Sequence, residues 1–376
     1  MLSNEERARY QRQLSLPEVG EAGQQRLQQA SVLLVGVGGL GSPAALYLAA
    51  AGVGRLGLVD HDRVDVSNLH RQVLHGTADI ARPKVESARD RLQQLNPLVR
   101  LELYDTWLTR DNALGLVGDY DVIVDGADTF ATRYLVNDAC VLAGRPNVHA
   151  SIFRFDGQAS VFCTPHGPCY RCLYPSPPPA DLVPSCAVGG VLGVLPGLLG
   201  LVQATETLKL LLGIGEPLVG RLFMLDALHM QPQVVPVSRD PECPACGTRT
   251  LTALADYDAF CGTPTPGLPN DDVAELTPAE LQRWLREGRP VQLLDVREPF
   301  ETAQGMIPGA QAWPLTTVLD AVPLLDTTRP IVCICAGGVR SRKAAATLVS
   351  AGCERVYSLA GGMSAWSLYN NASVPT

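Results

Sequence analysis

A chain of 376 residues exceeds what one ordinary hydrophobic core organises, so two domains are expected. With 46% hydrophobic and 18% charged residues it is no disordered protein. A net charge of −8 and a pI near 5.3 argue against nucleic acid or an anionic membrane surface as partner.

In chain order, Met1 to Arg12 is polar and Arg-rich and reads as a helix, with no apolar h-region behind it. Ser31 to Val35 is a strand followed by a helix from Pro43 to Ala51. Arg55 to Asp60 is a second strand, Lys84 to Leu95 a helix, and Val99 to Tyr104 a third strand. Tyr120 to Val124 and the helix Thr129 to Leu142 follow. This alternation predicts an α/β fold with a Rossmann-like, doubly wound, mostly parallel sheet. Pro175 to Pro184 reads as an exposed loop. The apolar run Val188 to Val202 is shorter than the roughly 20 residues that span a bilayer, and Gly and Pro interrupt it. It is expected as buried core, with no membrane association.

The segment Phe260 to Asp272 is rich in Pro, Gly and Thr and is expected as a linker. It separates a first domain, residues 1–259, from a second, smaller α/β domain, residues 273–376. There Thr277, Pro278 and Glu280 spell the start of a capped helix. The strands VQLLDV and IVCIC and a helix from Arg342 to Ser350 follow. Eleven cysteines in a chain without a secretory signal are expected in a reducing cytoplasm, used for metal binding and catalysis rather than disulfides.

Gly36, Gly38, Gly39 and Gly41 lie between a strand and a helix, the pattern that brings backbone N–H groups up to a phosphate. Asp60 ends the next strand, where a carboxylate can bind ribose hydroxyls. Alone, this pattern would suit NAD. Asn68 and Arg71 in SNLHRQ, Lys84 at a helix start, and Arg12 near the N-terminus add fixed positive charge. A triphosphate that must release pyrophosphate needs such charge, with a metal. Asp128, behind VIVDGAD at the carboxyl end of a strand, could hold Mg²⁺. The alternative is that these charges merely face solvent.

RYQRQL (Arg9 to Leu14), GVGGLGS (Gly36 to Ser42), VDHDRVDVSNLHRQ (Val59 to Gln72), Lys84 and DGADTFATR (Asp125 to Arg133) resemble the MoeB/ThiF family over about 250 residues. The resemblance implies ATP as the nucleotide, with Asp60 on the ribose and Arg71 and Lys84, beside Asn68, on the phosphates. Arg12 would reach in from the partner subunit of a homodimer. Asp128 would bind Mg²⁺, and its loss should stop adenylylation. The implied substrate is a small ubiquitin-like sulfur-carrier protein ending in Gly-Gly.

Cys169, Cys172, Cys243 and Cys246 form two Cys-x-x-Cys pairs, enough thiolates to close a tetrahedral shell around a structural Zn²⁺. The pairs are about 70 residues apart, too far for one zinc ribbon, so redox pairs are the alternative. The family resemblance carries the same paired arrangement and implies a zinc knuckle. Cys186 is either a small buried hydrophobe or, as the resemblance allows, a cysteine that attacks the acyl-adenylate or joins a persulfide relay. Cys140, Cys163 and Cys353 are left structural or unassigned, and Cys261 is expected as an exposed thiol in the linker.

Cys335 follows an apolar strand and opens a glycine-bearing loop before a helix. Backbone N–H groups and the helix dipole there stabilise an anionic cysteine or persulfide. Cys333 should point the same way from the strand. DVREPFE (Asp295 to Glu301), IPGA (Ile307 to Ala310) and LAGGMSAW (Leu359 to Trp366) around it resemble the rhodanese family. In that family a six-residue loop, here Cys335 to Arg340, goes with sulfur transfer. Many rhodaneses carry a basic residue after the cysteine, where this chain has Ala336, leaving Arg340 as the main loop cation. Thiosulfate and a protein persulfide, such as a cysteine desulfurase supplies, both stay open as donors. Together the halves imply adenylylation of the carrier and sulfur transfer to a thiocarboxylate. The alternatives are a carrier-docking scaffold that keeps only sulfurtransferase activity, and an NAD-linked oxidoreductase.

Overall fold

The computed structural model describes residues 2–177, 190–261, 273–303 and 305–372. The chain divides into two compact units, residues 1–264 and 265–376. Cys186 and most of the expected linker lie outside the described residues.

The first unit runs α1 (Asn4–Leu14), α2 (Gly20–Gln29), β1 (Ser31–Val35), α3 (Gly41–Ala51), β2 (Arg55–Val59), α4 (Lys84–Leu95) and β3 (Arg100–Tyr104). It continues with α5 (Ala113–Gly118), β4 (Val122–Asp125), α6 (Phe130–Ala143), β5 (Asn147–Phe153) and β6 (Asp156–Phe162). After these come α7 (Tyr170–Leu173), α8 (Val194–Leu212), β7 (Arg221–Asp226) and β8 (Gln231–Pro236). The sheet order is β3-β2-β1-β4-β5-β6-β7-β8, parallel from β3 to β5 and antiparallel beyond. All of β1 is buried because both sheet faces are covered. Val32 and Leu34 join one core cluster and Leu33 and Val35 the other, as a period of two requires.

The described part of the long apolar run enters α8, the one described helix long and apolar enough to cross a membrane. It is a core helix. Leu195, Leu199, Gln203 and Thr207, four residues apart, are buried, and Gln203 Nε2 donates to the carbonyls of Asp125 and Val148 at 2.7 and 2.9 Å.

The end of the first unit departs from the expected linker. Tyr257 to Phe260 form a helical turn, and Cys261 is 8% exposed instead of an open thiol. The cause lies far back in the sequence. Arg171 clamps Asp138 through two bonds of 2.8 and 2.7 Å, Tyr257 Oη donates to the same carboxylate at 2.7 Å, and the guanidinium lies over the rings of Tyr134 and Phe260. Removing one member of such a buried pair strands the other charge, at a cost of about 3–5 kcal/mol.

The second unit contains β9 (Ala274–Leu276), α9 (Pro278–Arg286), β10 (Gln292–Asp295), β11 (Ala310–Ala312), β12 (Ile331–Ile334), α10 (Val339–Ser350), β13 (Val356–Leu359) and α11 (Gly362–Ala372). Its sheet, β11-β10-β12-β13-β9, is parallel throughout. α9 carries the expected capping box: Thr277 Oγ1 accepts from Glu280 N–H, and Glu280 Oε2 accepts from Thr277 N–H. The helix after the cysteine loop starts earlier than expected, at Val339, because Gly338 turns the chain at φ +96°.

Candidate active sites

In the first unit, the glycine loop leaves β1 at Gly36, whose φ of +87° favours glycine, and a Cβ on Gly41 would overlap the Gly36 carbonyl oxygen. Asp60 pins this loop from below. Its two carboxylate oxygens accept the N–H groups of Val37 at 3.0 Å and Asp62 at 2.9 Å, and their remaining lone pairs can still take ribose hydroxyls.

Above the loop opens a cleft of about 1030 Å³, its open mouth included, and Gly36, Gly38, Gly39, Asp60, Arg71, Lys84 and Asp128 all line it. Gly41 lies outside the lining and starts α3 instead. Asn68 also lies outside it, but its Oδ1 accepts from Arg71 at 2.9 Å and Gln72 at 3.0 Å, fixing the guanidinium. Arg12 is exposed on α1 and is not part of its own chain's cleft.

Lys84 is buried, and its Nζ donates to Asp62 Oδ2 at 2.8 Å. The hydrogen bond from His61, helped by Lys84, holds the Asp62 carboxyl far below the usual range. Asp128 is exposed, and its side chain carries no hydrogen bond or ion pair among the described residues. The turn beneath it is rigid. Buried Asp125 accepts Ala127 N–H at 3.0 Å and pairs with His149 Nδ1 at 2.7 Å, and Thr129 caps α6. Sequence reasoning missed His61, Asp62, Gln72, Trp107 and Arg133, which also line the cleft. All but Trp107 fall inside the quoted motifs, so the signal was there without a role attached.

The four cysteines of the two pairs converge, every Sγ within 4.8 Å of the others. Neighbouring separations of 4.0, 3.6 and 3.3 Å suit the edges of a tetrahedron around Zn²⁺, about 3.8 Å for Zn–S bonds of about 2.3 Å. The Cys172 thiol is held below the usual cysteine range, chiefly by its hydrogen bond from Cys169 and also by the Asp240 N–H. Cys172→Ser is expected to abolish zinc retention and lower Tm by about 10 °C, in metal analysis and thermal melts.

In the second unit, Cys335 follows directly on the buried strand β12. Gly338 N–H donates to its Sγ at 3.1 Å, Ser341 Oγ lies 3.4 Å away, and Ser358 Oγ lies 2.9 Å from Ser341. Cys333 shares the core cluster of Cys335, as the strand period demands, and burial pushes its thiol up to about 12. Gly362 closes the loop from behind, where a Cβ would strike the carbonyl oxygens of Cys335 and Ala336. Arg340 stands by the loop as expected, but not as a free cation. Glu301 grips it through two bonds of 2.7 Å, and Arg340 in turn holds the Glu301 carboxyl down. Glu301→Gln is therefore expected to raise thiosulfate–cyanide sulfur transfer about fivefold, the worth of roughly 1 kcal/mol for a partly exposed ion pair. Initial rates against thiosulfate concentration would show it.

The first unit is thus a Rossmann-type nucleotide enzyme domain, and the second a sulfur-transfer domain built on a cysteine loop. Residues 10–245 match the ThiF family and residues 277–369 the rhodanese-like domain, and the chain belongs to the ThiF family with that domain at its C-terminal side. It is 48% identical over 378 residues to the probable adenylyltransferase/sulfurtransferase MoeZ of Mycobacterium tuberculosis, covering 97% of this chain and 94% of that protein. It is 46% identical to adenylyltransferase and sulfurtransferase MOCS3 of Sus scrofa, covering 100% and 88%. With the sulfur carrier protein adenylyltransferase of Thermus thermophilus it shares 56% over 69% of this chain and 98% of that one. Among solved structures, E. coli MccB with MccA-N7isoASN matches at a TM-score of 0.58 and 21% identity, covering 66% and 76%, a likeness of fold. The chain is an adenylyltransferase and sulfurtransferase.

Proposed function

We propose that this enzyme adenylylates the C-terminal glycine of a small ubiquitin-like sulfur-carrier protein and then converts it to a thiocarboxylate. The observation that supports this most is the meeting of Asp60, Arg71, Lys84 and Asp128 around one glycine-floored cleft, in a chain that also carries the Cys335 loop. The carrier carboxylate attacks the α-phosphate of ATP in line, forming the acyl phosphate bond as the bond to pyrophosphate breaks. Positioning and charge neutralisation are the enzyme's share. Asp60 takes the ribose, the loop N–H groups and Arg71 and Lys84 take the phosphates, and Arg12 serves the site of a second copy in a homodimer. Asp128, an unengaged carboxylate facing the cleft, suits the oxygen preference of Mg²⁺, which when bound neutralises phosphate charge. Cys169, Cys172, Cys243 and Cys246 hold a structural Zn²⁺.

Sulfur arrives on Cys335. Its thiolate attacks the outer sulfur of a persulfide donor, the donor's S–S bond breaks, and the donor leaves as a thiolate. The resulting Cys335 persulfide attacks the acyl-adenylate carbonyl and AMP departs, giving an acyl disulfide. A thiol then attacks the Cys335 sulfur of that disulfide and releases the thiocarboxylate, and a second thiol frees Cys335. The Glu301–Arg340 pair supports a protein persulfide, such as one on a cysteine desulfurase, over the thiosulfate dianion as donor.

Carrier-dependent exchange of labelled pyrophosphate into ATP tests this reading. Exchange is expected only with a carrier ending in Gly-Gly. Its absence with every such carrier, in folded zinc-loaded protein, would favour a docking scaffold and overturn the reading.

A further inference from the structure

The motifs that place ribose and phosphates leave the nucleobase without a contact. Strand register supplies one. β2 and β3 run side by side with Val59 opposite Tyr104, and Asp60 N–H donates to the Tyr104 carbonyl at 3.2 Å. The segment leaving β3 therefore starts at the level of the ribose carboxylate, and three residues on it carries Trp107 into the cleft wall. Trp107 is 58% exposed, unusual for so large an apolar ring, and the imidazole of His61 stacks on it at an interplanar angle of 20°.

The stack is held from behind. His61 Nε2 pairs with Asp62 Oδ1 at 2.9 Å, and Asp62 Oδ2 takes Lys84 Nζ at 2.8 Å. A continuous rail thus runs from the lysine on the phosphate side to the indole. A base joined to a ribose on Asp60 has only a few ångströms of reach, and an aromatic plane offers any base a face. Among the described residues Trp107 belongs to no core cluster of the first unit, so packing does not account for it.

We propose that Trp107, backed by His61, is the platform on which the base of the bound nucleotide stacks. This rests on the reading of the cleft as the ATP site. Trp107 is the one tryptophan of the first unit; the others are Trp284, Trp313 and Trp366. Tryptophan emission excited at the red edge, in the full-length zinc-loaded protein, reports the stack as the part of a ligand-induced change that W107F removes.

Saturating ATP or AMP is expected to quench it, whereas inorganic tripolyphosphate, which has no base, should not. W107F should lose the quench while keeping near-wild-type affinity, and W107A should weaken ATP about tenfold, within the range base stacking carries. Zinc content and Tm verify that both variants fold. An unchanged Kd for ATP in folded W107A, or no quench in protein that supports pyrophosphate exchange, would overturn the platform. Absence of exchange together with intact, Trp107-dependent AMP quenching would instead sink the adenylylation reading and leave the platform standing.

Discussion

Asp128→Ala is expected to lower carrier-dependent ATP–pyrophosphate exchange by about 10³-fold, the several kcal/mol that a metal-bound phosphate clamp contributes to an in-line displacement. It should leave sulfur transfer at Cys335 at the wild-type rate. The geometry makes the variant clean. Asp128 is exposed and has no partner among the described residues, so its removal strands none of them and opens no cavity. Its turn is set by other groups, Asp125 through the Ala127 N–H and Thr129 at the start of α6, so Gly36 and Asp60 stay in place. Stability, read from thermal melts, should change by no more than a surface substitution changes it, roughly 0.5 kcal/mol. Asp128→Asn separates charge from shape: it keeps the volume, loses the anion, and should fall nearly as far. Exchange and thiosulfate–cyanide transfer measured on one preparation decide the matter. If both activities fell together in folded protein, the division into two sites would be wrong.

What the sequence disclosed follows a physical line between local and distant causes. The glycine loop, Asp60, Lys84 and the Thr277 cap were legible because each is a short-range requirement. A tight turn needs Gly36, a parallel strand ends on its carboxylate, and a capping box needs fixed spacing. The strands β5 to β8 were not read. β8, Gln231–Pro236, has two prolines and is exposed along its length, as an edge strand can be, so neither alternation nor an apolar run marks it. Cys261 was placed in open solvent because Pro, Gly and Thr surround it. It packs in the core cluster of Tyr134, Tyr170 and Tyr257, on a turn tied back by the Asp138–Arg171–Tyr257 network, whose members come from three separate segments. Arg340 was read as a loop cation, yet its charge is answered by Glu301, 39 positions earlier. Trp107 carried no signal at all, since only the register of β2 against β3 brings it beside Asp60.

Cys335→Ser is expected to bring sulfur transfer to background with either thiosulfate or a protein persulfide as donor, while pyrophosphate exchange continues unchanged. Serine keeps the size and the hydrogen bonds of the site, so Gly338 N–H and Ser341 retain a partner and the loop should hold its shape. What it cannot do is carry sulfane sulfur, because the step requires a thiolate to form and later release an S–S bond. The buried neighbours offer no substitute: Cys333 is buried in the strand with its thiol pushed up to about 12, and burial raises Cys353 as well. Incubation with the donor followed by intact mass measurement should show one added sulfur on the wild type and none on the variant. A Cys335→Ser protein that still gains a sulfur and still yields a thiocarboxylate would move the persulfide to another cysteine. Cys186 would then be the residue to change next.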